Sequence, residues 1–294
     1  GSMVWATPTK VPLELHRRGS EACLRCGGAE RLGAVINVGN LTELNQTGAS
    51  AILDAVRAHG IVVITGQNLT SAQQVDFTGR LGEVIVLPSS FEGKDPEPFS
   101  SRHSENHQLL GKRHVERTLC KKLGAYWHQD GQFWVKPKHN VLSILHAQAT
   151  PPQGGETGFA DLIALPMPRT LSKPLLERAR NAKIQVSVRD IADFAKGIEE
   201  DLAAFPDAEH NILDVHSLDG GPLLYVGSPH MTLSGLESPE AGRALLDMLL
   251  VHATSPAFTY FHSWDVGDVI VWDNTQTLHS VPCHAIQERW KSSP

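Results

Sequence analysis

Tyr126-Trp127-His128-Gln129-Asp130-Gly131-Gln132-Phe133-Trp134 is the stretch on which both fold and chemistry turn. Its aromatic residues and alternating pattern predict a strand over 126–135. On a strand, residues i and i+2 point to one face, so His128 and Asp130 would stand together, an imidazole beside a carboxylate. His-x-Asp alone is weak, because a chain with 15 histidines yields about one such match by chance. His103/Glu105 and His114/Glu116 offer the related His-x-Glu spacing. Both lie among polar residues without strand-like alternation, whereas His128 and Asp130 are flanked by Trp127, Phe133 and Trp134.

A metal held by that pair needs a third ligand from a distant part of the chain. Gly267-Asp268-Val269-Ile270-Val271-Trp272-Asp273-Asn274-Thr275-Gln276-Thr277-Leu278-His279 reads as a turn, a strand, a bend and a histidine. His262, His284 and His146 compete with His279, and the commoner fate of any one histidine is an ordinary core or surface position. Two imidazoles and one carboxylate leave about three positions open on an octahedral ion, the arrangement of non-haem iron(II) oxygenases. Oxygen chemistry needs that space, for a bidentate co-substrate and O2 together.

Around this constellation the signals are mostly β. Candidate strands cover 140–148, 156–160, 183–188, 222–226, 257–262 and 268–273. Nearer the N-terminus, apolar residues at helical spacing over 49–59 are stopped by Gly60, and Ile61-Val62-Val63-Ile64-Thr65 reads as a buried strand ended by Gly66. Thr70 or Ser71 caps a second helix reaching about Leu81 and closed by Gly82, and Ser238-Pro239-Glu240 starts another over 238–252. Many short strands with a few helices predict a mainly β fold with flanking helices, a double-stranded β-helix or jelly roll. Residues 89–122 are polar and lack either period, so they read as a long loop inserted as a lid. Gly1-Ser2-Met3 reads as an expression scar, and the rest as one domain over 1–294.

Composition narrows the function classes. Apolar residues make up 41% of the 294 and charged residues 20%, as in a globular protein with a sizeable core. A net charge of −6 and a pI near 6.2 argue against nucleic acid or an anionic membrane as partner. No apolar run approaches the roughly 20 residues that cross a bilayer, and no charged-then-apolar leader opens the chain. Four cysteines are too few for a disulfide framework, so a cytoplasmic location is expected. Cys23 and Cys26 form a CxxC without the second pair that a structural zinc wants, and read as a loop. The expected partner is a small-molecule substrate, and a homo-oligomer is compatible with this surface.

Taken in order, the motifs resemble those of the taurine/2,4-D dioxygenase family of iron(II), 2-oxoglutarate-dependent enzymes. Trp127-His128-x-Asp130-x-x-Phe133 is similar to its first metal motif. Pro151-Pro152-x-Gly154-Gly155-Glu156-Thr157-x-Phe159-x-Asp161 is similar to its Gly-Gly-[Asp/Glu]-Thr segment, and Gly267-Asp268 through Trp272-Asp273-Asn274 to His279 is similar to its distal-histidine segment. Leu224-Tyr225-Val226 and Phe258-Thr259-Tyr260 fall in the right order, and the similarity runs from about residue 33 to 290.

The resemblance implies that His128, Asp130 and His279 ligate Fe(II). It implies that Thr157 hydrogen-bonds the distal carboxylate of 2-oxoglutarate, and that Arg289, ten positions after His279, pairs with it. Where the family commonly carries a second arginine, this chain has Trp290, and the further arginine that binds sulfonate or sulfate in some relatives does not follow. Asp130 stands where related halogenases have Gly or Ala. The implied reaction consumes O2, releases succinate and CO2, and hydroxylates a substrate C–H bond, giving an alcohol or an adduct that fragments.

For the substrate pocket the residues beside the ligands come first: Trp127 and Phe133 as apolar walls, Gln129 and Gly131 flanking the metal. His103 and His107 belong to the expected lid, whose basic residues Arg102, Lys112, Arg113, Arg117, Lys121 and Lys122 suit an anionic substrate or simply a solvated face. An amino acid, a quaternary amine, an aryloxy acid or a purine all remain open as C–H donors. Two further readings compete: a jelly-roll binding protein without turnover, and a zinc hydrolase built on the same ligands.

Overall fold

The computed structural model describes residues 14–17, 31–84, 102–104, 107–108, 126–132, 142–150, 154–163, 172–187, 189, 207–215, 222–228 and 230–281. In chain order the first elements are β1 (Glu14–Arg17), β2 (Ala34–Asn37), α1 (Gln46–His59), β3 (Ile61–Ile64) and α2 (Ser71–Leu81). There follow β4 (Arg102–Ser104), β5 (His107–Gln108), β6 (Leu142–His146), β7 (Thr157–Asp161), α3 (Lys173–Asn181) and β8 (Lys183–Val186). The rest are β9 (Ala208–Asn211), β10 (Leu213–Val215), β11 (Pro222–Leu224), β12 (Thr232–Ser234), α4 (Pro239–Ala253), β13 (Thr259–His262), β14 (Val269–Asp273) and β15 (Thr277–Ser280). The architecture is mostly β with a few helices. No described helix is long and apolar enough to cross a membrane.

The helices start where the sequence supplies caps. Asn45 accepts a hydrogen bond from the Gly48 amide at the head of α1, and Ser238 from the Ala241 amide at the head of α4. Thr70 and Gln73 form a reciprocal capping box on α2. Each such cap stabilises its helix by about 1 kcal/mol.

Five strands form the largest sheet, in the order β1-β2-β3-β14-β6, with β2 and β3 parallel and the other neighbours antiparallel. Side chains alternate across it. Val62 and Ile64 of β3, with Val269 and Val271 of β14, meet Ile52, Val56 and Phe77 from α1 and α2. Ile61, Val63, Ile270 and Trp272 point the other way, onto Phe159 of β7. That strand is the middle of a second, three-stranded sheet, β13-β7-β15. On the far side of the second sheet, Ala160 and Leu278 pack with Ile184 of β8 and with Leu245 and Leu249 of α4. The order is therefore helices, five-stranded sheet, three-stranded sheet, then a second helix-bearing core. Strands β12-β8-β9 and the pair β10-β11 complete the described sheets of that outer core.

Two sequence expectations need correction. Over its described residues, 126–132, the segment expected as a strand is none: there only His128 pairs, in an isolated bridge, and the chain turns at once through Asp130-Gly131-Gln132. Gly131 sits at φ +70°, which ends the extended run. Residues 89–122 are not wholly loop, since β4 and β5 form a short antiparallel ladder there. Strands of three and two residues are too short to show a period. The rest of that segment, apart from 102–104 and 107–108, lies outside the described residues.

Candidate metal centre

His128 and His279 are brought together by the main chain. The His128 amide donates to the His279 carbonyl at 3.0 Å and the His279 amide donates back at 2.8 Å. A reciprocal pair of this kind places the two side chains side by side on one face. On its other edge β15 pairs with β7, His279 opposite Phe159. His279 therefore projects into the space between the two sheets, and its ring packs against Trp272 at 5.2 Å and His128 at 4.2 Å between centroids. Asp130 arrives from the turn. Its Oδ1 lies 3.9 Å from His128 Nε2 and 3.6 Å from His279 Nε2. One ligand atom from each of the three residues falls within 4.8 Å of the others, close enough to share a cation.

Protonation states suit that role. His128 Nδ1 lies 2.9 Å from the Tyr126 carbonyl. A carbonyl only accepts, so Nδ1 carries a hydrogen, and it is Nε2 that faces Asp130 and would offer its lone pair to a metal. The His279 imidazole is pushed down to about 3, first by burial and then by His128, with Asp130 opposing. It is neutral at physiological pH. Burial alone would raise the Asp130 carboxyl, but both imidazoles and the Ser143 hydroxyl bring it below its ordinary value, so it is ionised. Two imidazoles and one carboxylate form a donor set that a divalent transition metal takes. The residues fit such an ion.

Around Asp130 runs a ring of hydrogen bonds. Its amide donates to Asn274 Oδ1 at 3.2 Å, Asn274 Nδ2 to Ser143 Oγ at 2.8 Å, and Ser143 Oγ to Asp130 Oδ2 at 2.7 Å. Sequence reasoning missed Ser143 altogether and quoted Asn274 only as part of a motif.

Of the other expected site residues, Thr157 is buried on β7, on the same face as Phe159. Its hydroxyl oxygen accepts from Trp264 Nε1 at 3.0 Å, so its own hydrogen is left to donate elsewhere. Trp127 packs against the outer core and edge-on to Phe261, at 6.1 Å. Gln129 does not flank the metal on an open wall. It is buried, and its amide donates to the Asn274 carbonyl at 2.6 Å. Gly131 forms the turn. His103 and His107 lie on β4 and β5, while Phe133, Arg289, Trp290, His284 and the Cys23/Cys26 pair lie outside the described residues.

Two competing histidines are occupied elsewhere. His262 bridges Asp268 Oδ2 at 3.0 Å and the Tyr260 hydroxyl at 3.1 Å, and His146 Nε2 lies 3.3 Å from the Gln67 carbonyl.

Residues 24–288 match the family model described as taurine catabolism dioxygenase TauD, TfdA family. The chain belongs to that family. A 2,4-dichlorophenoxyacetate dioxygenase dependent on alpha-ketoglutarate, from Cupriavidus pinatubonensis, is 31% identical over 229 residues, covering 74% of this chain and 77% of that one. An alpha-ketoglutarate-dependent sulfate ester dioxygenase from Pseudomonas putida is 28% identical over 262 residues, covering 85% and 81%. Among solved structures, AAD-2 in complex with Mn(II) and N-oxalylglycine superposes with a TM-score of 0.67 at 22% identity, covering 92% of this chain and 91% of that one. That likeness speaks for the fold. The protein is a 2-oxoglutarate-dependent dioxygenase, with Fe(II), 2-oxoglutarate and O2 as its cofactor and co-substrates.

Proposed function

We propose that His128, Asp130 and His279 are the three protein ligands of Fe(II), in one dioxygenase domain spanning 1–294 with a double-stranded β-helix core. The observation that carries this is the convergence of the three donor atoms within 4.8 Å from two segments about 150 residues apart. The facing sheets, with His279 projecting between them, support the jelly-roll reading.

Bound there, Fe(II) with 2-oxoglutarate supplies activation of O2 for attack on a substrate C–H bond. The chain's own residues position and exclude. His128 Nε2 presents its lone pair because the Tyr126 carbonyl holds the other nitrogen. Phe159 and Trp272 close the space behind His279 against water. Thr157 donates its hydroxyl hydrogen to the distal carboxylate of 2-oxoglutarate, and Arg289 pairs with the same group through its guanidinium fork.

We assign the substrate to small organic molecules bearing C–H on a carbon next to an ether or ester oxygen. The names of two relatives, a dichlorophenoxyacetate and a sulfate ester dioxygenase, share that feature. Hydroxylation at such a carbon leaves it with two oxygens, and it collapses to a carbonyl with release of the original alcohol, phenol or sulfate. One atom of O2 enters that product and the other enters succinate, with loss of CO2.

The test is succinate release from Fe(II)-loaded protein and 2-oxoglutarate, with 2,4-dichlorophenoxyacetate and an alkyl sulfate as first substrates. Succinate should match phenol or sulfate one to one. His128→Ala, Asp130→Ala and His279→Ala should each abolish it, and a wild-type rate in any of them removes that residue from the site. Arg289→Ala should mainly raise the 2-oxoglutarate requirement.

A further inference from the structure

The geometry points to Ser143 and Asn274 as positioning residues that hold Asp130 to ligation through a single oxygen, Oδ1. The inference rests on His128, Asp130 and His279 being the metal ligands.

The direction of each hydrogen bond in the ring follows from the donors available. Trp272 Nε1 is a donor only, and it reaches Asn274 Oδ1 at 3.0 Å. The Asp130 amide reaches the same oxygen at 3.2 Å. Two donors on one atom identify it as the amide oxygen, so the other atom is Nδ2 and must donate. Nδ2 donates to Ser143 Oγ at 2.8 Å. An ionised carboxylate only accepts, so at the 2.7 Å contact the Ser143 hydroxyl donates to Asp130 Oδ2. The orientation of the Asn274 amide is thus fixed, and it cannot flip without breaking the Trp272 bond.

The carboxylate is left asymmetric. Oδ2 is engaged by Ser143, while Oδ1 is the oxygen nearest both imidazoles. Ser143 and Trp272 are opposed on β6 and β14, so the ring is anchored to the five-stranded sheet rather than to the turn that carries Asp130. A carboxylate fixed by one oxygen occupies one coordination position, which leaves three of six beside the two imidazoles. Freed from Ser143, Asp130 can rotate and chelate through both oxygens. Two positions would then remain, too few for a chelating 2-oxoglutarate and O2 together.

Mn(II) serves as the probe, with free ion counted by electron paramagnetic resonance and N-oxalylglycine as the chelating co-ligand. Wild type, Ser143→Ala, Ser143→Thr, Asn274→Leu and His279→Ala are titrated, with thermal unfolding of each metal-free protein as a control. Ser143→Ala should bind Mn(II) about 10–100-fold more weakly and should lose further affinity for N-oxalylglycine once Mn(II) is bound. Ser143→Thr keeps the hydroxyl and should restore most of both. Asn274→Leu should follow Ser143→Ala.

Wild-type affinities in Ser143→Ala, while His279→Ala binds poorly, would overturn the positioning role and leave the ligand set standing. Equal losses in Ser143→Ala and Ser143→Thr, tracking lowered thermal midpoints, would overturn it in favour of simple packing. Undiminished binding in His279→Ala would overturn the ligand set and the inference with it.

Discussion

Replacing Arg31 by Leu should destabilise the fold far more than the loss of a surface ion pair. Arg31 grips Asp161 with two parallel bonds, Nε to Oδ2 at 2.7 Å and Nη2 to Oδ1 at 2.5 Å. Its remaining Nη1 donates to Gln276 Oε1 at 2.9 Å and to the Ala58 carbonyl at 3.2 Å. The Asp161 side chain is 0% exposed and that of Arg31 24%. A buried carboxylate deprived of its counter-charge costs about 3–5 kcal/mol. Some water reaches Arg31, so the lower end, about 3 kcal/mol, is the expected loss. Domains of this kind hold about 5–15 kcal/mol in all, so the effect is large. Urea unfolding followed by tryptophan fluorescence should show a midpoint lowered by about 1 M, taking a slope of about 3 kcal/mol per M. Removing both charges, as Arg31→Leu with Asp161→Asn, should cost less than Arg31→Leu alone, because no buried carboxylate is then left without its guanidinium. A loss under about 1 kcal/mol, the range of exposed pairs, would show that the other partners of Asp161, the Ile163 amide at 2.9 Å among them, suffice without the guanidinium, and would refute the reasoning.

Other perturbations test other parts of the structure. In the metal-free protein His279 titrates at about 3 when folded, against its ordinary 6.5 in the unfolded chain. Between those values the unfolded chain binds a proton that the fold does not, so stability falls as pH drops from about 6.5 toward 3, by up to about 1.4 kcal/mol per pH unit, with no such loss above 6.5. His279→Gln should shallow that dependence by one proton, and identical slopes for both proteins would dismiss the buried neutral imidazole as its source. Gly158→Ala would put a Cβ 2.7 Å from the Phe261 ring and 2.9 Å from that of Trp127; this overpacking should cost about 1–3 kcal/mol, and an unchanged melting temperature would show that the rings yield freely. Ser238→Ala removes the side-chain acceptor for the Ala241 amide and should cost about 1 kcal/mol, read as a lowered unfolding midpoint.

What the sequence discloses depends on how far apart the interacting residues lie. Helix α2 was legible from Thr70 to Leu81 because its cap, its apolar spacing and its stopping glycine all sit within one short window. Strand β3 was legible because Ile61 to Ile64 are buried on both faces, which leaves an unbroken apolar run. Strands β1, β2, β9, β10, β12 and β15 and helix α3 were not read. The strands run to only three or four residues and the helix to nine, too few for a period to emerge. The resemblance singled out His279 from its competitors, since nothing local distinguishes it from His262; the structure separates them by tying His262 to Asp268 and Tyr260.

The pairing of His128 with Asp130 was expected for a reason the backbone does not honour. Strand alternation would make His128 and Asp130 neighbours by themselves, and no other residue would then be needed to aim them. The structure instead gives His128 its place through a main-chain bridge to His279 and leaves Asp130 beyond the start of a turn. A side chain on a turn has no strand partner to fix its direction. That direction has to come from residues 13 and 144 positions away, Ser143 and Asn274, and separations of that kind leave no signature in a local window. The departure from regular strand geometry and the appearance of the hydrogen-bond ring are therefore two sides of one requirement. A carboxylate that must present one oxygen and withhold the other is better held by specific donors than by the pleat, which sets only the face a side chain leaves from.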